Sequence, residues 1–234
     1  MPDTAPTLVD VHAHFVTEEY IAAAKAAGHV YPDGTPGWPS WDPETHLRLM
    51  DRWGIRTSML SISSPGIHFG DDKAARALAR SVNEYGAAVA AAHPARFGHF
   101  ACLPFPDVEG SLTELAYALD RLGSDGVAVT TNARFLLKRD RGGPTVQDQI
   151  RRLWFDMAVS PFPNQIPALV KAFGDERLLF GSDYCWAPVD FVDRHLASMD
   201  GAEQPEGETW RTLTTRNAAH LLPRGTDAQA CARR

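Results

Sequence analysis

The chain has 234 residues, 44% hydrophobic and 22% charged, and its 23 Lys and Arg against 29 Asp and Glu give a formal charge of -6. That is globular composition, long enough for a well-buried core, and its weakly acidic balance argues against nucleic acid or an anionic membrane as partner. No run approaches the ~20 apolar residues of a membrane span, residues 1–7 lack the features of a secretion signal, and the odd, scattered Cys102, Cys185 and Cys231 suggest free thiols. The expected setting is therefore cytoplasmic.

Strand and helix signals alternate along the chain. Leu8–Phe15 reads as a first strand, and Ala-rich Glu18–Gly28 as a helix stopped by Gly28. A loop dense in Pro, Gly and Trp follows over His29–Trp41. Asp42 then caps a helix that enters through Pro43 and runs to Trp53, with Gly54 ending it. Arg56–Ser64 predicts a second strand, Asp71–Ala92 a long helix, Phe97–Leu103 a third strand and Val108–Leu122 a helix. Gly126–Thr131 predicts a fourth strand, Pro144–Arg152 a helix and Leu153–Val159 a fifth strand. Gln165–Phe173 reads as a helix and Leu178–Ser182 as the sixth strand, followed by helices over Asp190–Met199 and Glu208–Leu222. Residues 1–7 and 223–234 are expected to be flexible tails around one domain, 8–222. Strands alternating with helices imply βαβ units and a parallel sheet. Six strands fall short of a closed (β/α)₈ barrel, and no Gly-rich phosphate turn follows the first strand.

Side chains alternate faces along a strand, so Asp10, His12 and His14 share one face of the first. Two imidazoles so placed can converge on one metal ion, and the plain alternative is a solvated polar face. Asp183, in Gly181-Ser182-Asp183 after the last strand, sits where barrels place catalytic groups, although a turn or cap role fits equally. First and last strands are neighbours in a closed barrel, which would bring Asp183 to His12 and His14. His68, in the loop after the second strand, is a candidate substrate contact. His99 reads as structural, and His29, His46, His93, His195 and His220 as surface residues. Cys185 has no base beside it and reads as packing. Trp38 and Trp41 could wall a planar substrate or simply pack their loop.

The segments VDVHAHF and LLFGSDYCWAP resemble the amidohydrolase superfamily. The likeness is to its metal-dependent decarboxylase branch, typified by aminocarboxymuconate semialdehyde decarboxylase. GHVYPDGTPGWPSWDPETHLRLMD, SISSPGIHFGDD, FACLPFPDVEGSLTELAYALD, DGVAVTTNA and WFDMAVSPFPNQIPAL are closer still to 6-methylsalicylate decarboxylases. The resemblance implies a distorted (β/α)₈ barrel with a divalent metal, usually Zn2+, held by His12, His14 and Asp183. It implies Asp183 as the catalytic acid/base group. The family's histidines on strands five and six have no match here. A stretch of about 90–100 residues that the barrel would need is missing after residue 132, which leaves about six strands. The implied activity is non-oxidative decarboxylation of a 2-hydroxybenzoate such as 6-methylsalicylate. A metal-dependent hydrolase of the same superfamily and an inactive truncated paralogue stay open. Expected partners are a small aromatic carboxylic acid, neither nucleic acid nor membrane, with a homo-oligomer left open. A shortened barrel is expected to be weak in activity and low in stability, because uncovered apolar surface costs about 25 cal/mol per Å².

Overall fold

The computed structural model describes residues 7–129, 146–159 and 161–222. Six parallel strands lie among them, in the order read from the sequence. β1 (Leu8–His14) pairs with β2 (Ile55–Ser61), β2 with β3 (Phe97–Ala101), and β3 with β4 (Gly126–Val127). β5 (Phe155–Asp156) pairs with β6 (Leu178–Leu179). A parallel bridge between Asp10 and Phe180 joins the end of β6 to β1, and the Val11 N–H donates to the Phe180 carbonyl at 3.0 Å. The spatial order is thus β4-β3-β2-β1-β6-β5, with first and last strands side by side. This is the curled parallel sheet of an incomplete (β/α)₈ barrel. Among the described residues β4 pairs only with β3 and β5 only with β6, so the sheet has two open edges where a closed barrel has none.

Caps and turn residues set the helices around this sheet. Thr17 accepts from the Tyr20 N–H to start α1 (Glu18–Ala26). Asp42 accepts from the Thr45 N–H to start α2 (Pro43–Trp53), Pro43 fills its first turn, and Gly54 ends it in the left-handed conformation. Asp71 caps α3 (Asp72–Ala92) and Asp107 caps α4 (Val108–Tyr117) in the same way. The remaining helices are α5 (Val146–Ile150), α6 (Gln165–Phe173), α7 (Val189–Gly201) and α8 (Trp210–Leu221).

Several boundaries differ from the sequence reading. The helix expected over Val108–Leu122 stops as an α-helix at Tyr117 and widens into a π-helical turn over Ala118–Leu122. The fifth strand is shorter than Leu153–Val159, because the Leu153 N–H turns back to the Ile150 carbonyl and Val159 takes a φ of 64°. The fourth strand is only Gly126–Val127, and the end of the expected one, residues 130–131, lies outside the described residues. So do the position after 132 where a missing segment is expected, residues 1–6 and the tail 223–234. Thr7 is tied down: its N–H donates to the Gly54 carbonyl and its carbonyl accepts from Thr215.

The core corrects the reading of two histidines. His46 and His195 are buried, not on the surface. His46 shares the inner face of α2 with Met50 and Trp53 at helical spacing, and its Nδ1 accepts from the Trp41 indole N–H at 3.0 Å. His195 lies on the inner face of α7 beside Val192, Leu196 and Met199 and stacks on Phe180. His99 is structural as expected. It is buried in β3 with Ser124 Oγ 3.0 Å from Nδ1, and α3 approaches it at Gly86, where a Cβ would sit 2.5 Å from its ring. His29 and His220 are exposed and His93 half-buried.

Burial keeps these three core rings neutral: it pushes His46 down to about 3, and His99 and His195 to about 4. Each therefore takes up a proton on unfolding once the pH falls below about 6.5. Asp10 works the other way, since burial raises it to about 6 and it binds its proton in the folded chain. For these four groups the net uptake near pH 5 is about two protons, so they are expected to make stability fall by about 3 kcal/mol per pH unit as the pH drops through about 5. Urea unfolding at pH 7 and pH 5 checks this, and equal midpoints would contradict it.

Candidate metal centre

His12 and His14 stand near the C-terminal end of β1, and Asp183 lies in the turn just past β6. The backbone fixes their relation: the Asp183 N–H donates to the His12 carbonyl at 2.8 Å, and the His14 N–H to the Tyr184 carbonyl at 2.5 Å. Asp183 takes a φ of 60°, in the left-handed region that Asp tolerates better than most residues. Asp183 Oδ1 lies 3.6 Å from His12 Nε2 and 3.4 Å from His14 Nε2. One donor atom from each of the three residues falls within 4.8 Å of the others.

The two imidazoles are held differently. His14 is buried, and its Nδ1 lies 3.3 Å from the Ser61 carbonyl oxygen and 3.1 Å from Ser61 Oγ. A carbonyl can only accept, which assigns the proton to Nδ1 and leaves a lone pair on Nε2. That Nε2 is buried without a hydrogen-bond partner. A buried, unpartnered lone pair beside a carboxylate has the chemistry to ligate a cation. His12 is more open, with a 34% exposed side chain, and its Nδ1 lies 3.1 Å from Asp156 Oδ2. Burial lowers the His12 pKa, but the hydrogen bond and charge of Asp156, with Asp183 and Asp10, outweigh it and raise it to about 9. Burial opposes the charge on Asp156, and its bond to His12 still holds it below the usual carboxylate range. His14 is pushed down by burial, against the pull of Asp183.

Asp10 lies outside the three-residue group. It is fully buried and accepts from Ser182 Oγ at 2.6 Å, the Ser182 N–H at 3.0 Å and the His12 N–H at 3.1 Å. It therefore staples β1 to the segment after β6 and sets the spacing between His12 and Asp183. His68 is also apart from the group. Its Nε2 meets Asp72 Oδ1 at 2.8 Å and its Nδ1 accepts from the Gly70 N–H, so it belongs to the start of α3. Cys185 is buried with its thiol pushed up to about 12, in keeping with packing. Trp41 packs among Phe15, His46, Tyr85 and Phe97, whereas Trp38 meets Trp186, three residues past Asp183. The sequence reading passed over Asp156, although it is the one charge in the apolar run Leu153–Val159.

Residues 9–154, from β1 to the edge of β5, match the family model described as Amidohydrolase. The chain belongs to the amidohydrolase family. Decarboxylase yanB of Aspergillus niger is 40% identical over 131 residues, 53% of this amidohydrolase chain and 34% of the relative. The 6-methylsalicylic acid decarboxylase acuB of Aspergillus aculeatus is 39% identical over 128 residues, 53% of the chain and 37% of the relative. The match thus spans only about a third of those relatives' own length. The crystal structure of a dihydroxybenzoic acid decarboxylase from a Polaromonas species, with bound manganese and 2-nitroresorcinol, superposes with a TM-score of 0.73 at 17% identity, over 92% of this chain and 96% of that one. That likeness concerns the fold of the amidohydrolase frame. Among the described residues no helix is long and apolar enough to cross a membrane.

Proposed function

We propose that His12, His14 and Asp183 form the metal site of a decarboxylase acting on 2-hydroxybenzoate-type acids, with 6-methylsalicylate as first candidate. The observation that carries this reading is the convergence of two imidazoles and a carboxylate, with the unpartnered His14 Nε2 among them. Two His and one carboxylate suit several divalent ions. Zn2+ is expected to bind more tightly than Mn2+ by the general affinity order, and the manganese in the Polaromonas enzyme supports a divalent ion of that class. Buried, unbridged Cys102 and Cys185 support a reducing, cytoplasmic setting.

A bound divalent ion would supply charge neutralisation for the substrate carboxylate and its neighbouring phenol oxygen. The chain's own residues do the rest. His12 and His14 hold their Nε2 atoms toward the Asp183 carboxylate and fix the position of the acid. Asp183 Oδ accepts the phenol proton and delivers it to the ring carbon that carries the carboxylate. The bond from that carbon to the carboxylate then breaks, CO2 leaves, and the electron pair restores the aromatic ring as a phenolate. Trp186, three residues past Asp183, packs against Trp38 with ring centroids 5.5 Å apart. His68, held by Asp72, would contact substrate only after exchanging that partner. The test is product analysis with 6-methylsalicylate and metal-loaded protein. CO2 and 3-methylphenol in equal amounts support the reading. Ring opening, or hydrolysis of amide or lactone substrates without CO2, would replace it with the hydrolase.

A further inference from the structure

Asp156 touches a ring of the metal cluster, and the function above leaves it unused. It ends β5, which pairs with β6 through Asp156 and Leu179. Its two oxygens do separate jobs. Oδ1 accepts the Ala158 N–H at 2.9 Å, which pins the carboxylate in the turn after β5. Oδ2 faces His12 Nδ1 at 3.1 Å, on the far side of the ring from Asp183. Gly181 makes the approach possible. A Cβ there would lie 2.7 Å from His12 Cβ, 2.9 Å from Asp156 Oδ1 and 3.2 Å from Ala158 Cβ. Three strand ends therefore meet at a point where only glycine fits, and what they bring together is one imidazole and one carboxylate.

We propose that Asp156 is a positioning residue for the metal site: by accepting the Nδ1–H of His12 it selects the tautomer and ring orientation that leave Nε2 for the metal. The inference rests on the metal reading of His12, His14 and Asp183. A carboxylate behind a ligating imidazole fixes its tautomer and strengthens it as a donor. The need differs between the two histidines. His14 is buried and locked from behind by Ser61, whereas the His12 side chain is a third exposed and has Asp156 as its side-chain hydrogen-bond partner. Loss of the carboxylate would let the His12 ring turn over, with Nδ1 and Nε2 exchanging roles.

The experiment is a Zn2+ titration of the full chain, wild type against D156A and D156N. D156A should weaken Zn2+ binding about 10–100-fold, the range for removing such a partner. D156N keeps an oxygen that can accept the same proton and should recover part of that loss. Wild type and D156A with equal Zn2+ affinity would overturn the proposal while leaving the metal site standing. A wild-type chain that binds no Zn2+ would remove the metal reading and this proposal together. Histidine 15N spectra of the zinc-loaded wild type give a second readout that needs no variant. His12 should be bound through Nε2 with its proton on Nδ1, and coordination through Nδ1 would overturn the proposal.

Discussion

Replacing His12 and His14 together with alanine is expected to lower divalent-metal affinity about a thousandfold or more. Structural zinc sites with four ligands gain about 10–16 kcal/mol, so two lost nitrogens remove several kcal/mol at 1.4 kcal/mol per factor of ten. The loss should exceed that of either single variant, because Asp183 alone is an ordinary half-buried carboxylate with a 22% exposed side chain. The fold should change less than the binding. His12 and His14 join their neighbours through backbone groups, the His12 carbonyl to the Asp183 N–H and the His14 N–H to the Tyr184 carbonyl, and alanine keeps both. Elemental analysis of the purified wild type and double variant reads the result. Equal metal content in the two would contradict the assignment.

The second large effect is expected from Asp183→Asn. The backbone bonds of residue 183, to His12 and from the Ala187 N–H to its own carbonyl, survive the change. Asparagine is also well suited to the left-handed φ of 60° at this position. An amide cannot take up a proton from the phenol and pass it to the ring. The CO2-releasing rate at saturating metal should drop by about 10²–10⁴, the usual worth of a positioned acid/base group. The metal will bind more weakly too, so the comparison needs enough ion to fill both proteins. Rates within threefold of each other would place the proton transfer elsewhere.

How much of this was legible in the sequence depends on the range of each signal. The chain order of strands and helices followed from alternating periodicities and the cap at Asp42 from local chemistry, whereas the pairing of first with last strand was legible only as what a closed barrel would require. The spacing of His12 and His14 with Asp183 after the last strand marked the cluster. Asp156 was not legible as a partner, since 144 residues separate it from His12 and only the approach at Gly181 brings them together. His46 and His195 looked like surface residues because a histidine at helical spacing is judged by its type before its face. Their neighbours Met50, Trp53, Val192 and Leu196 show the inner face in retrospect. The shortening of the fifth strand arises from a turn at Leu153, which apolar periodicity does not reveal. Among the described residues β4 and β5 each pair with one strand, in keeping with an incomplete barrel. On α4, Val108 and Leu112 are each 62% exposed.

Under the proposed function, one divalent ion held by His12, His14 and Asp183 makes this chain a decarboxylase. The most direct measurement is CO2 release from 6-methylsalicylate by metal-free protein titrated with Mn2+. With β4 and β5 each paired to one strand among the described residues, the rate should be below that of the longer relatives. It should still rise in proportion to added ion, level off at one ion per chain, and be absent in the H12A/H14A double variant. Release that ignores added ion and chelator, or that persists in the double variant, would contradict the account.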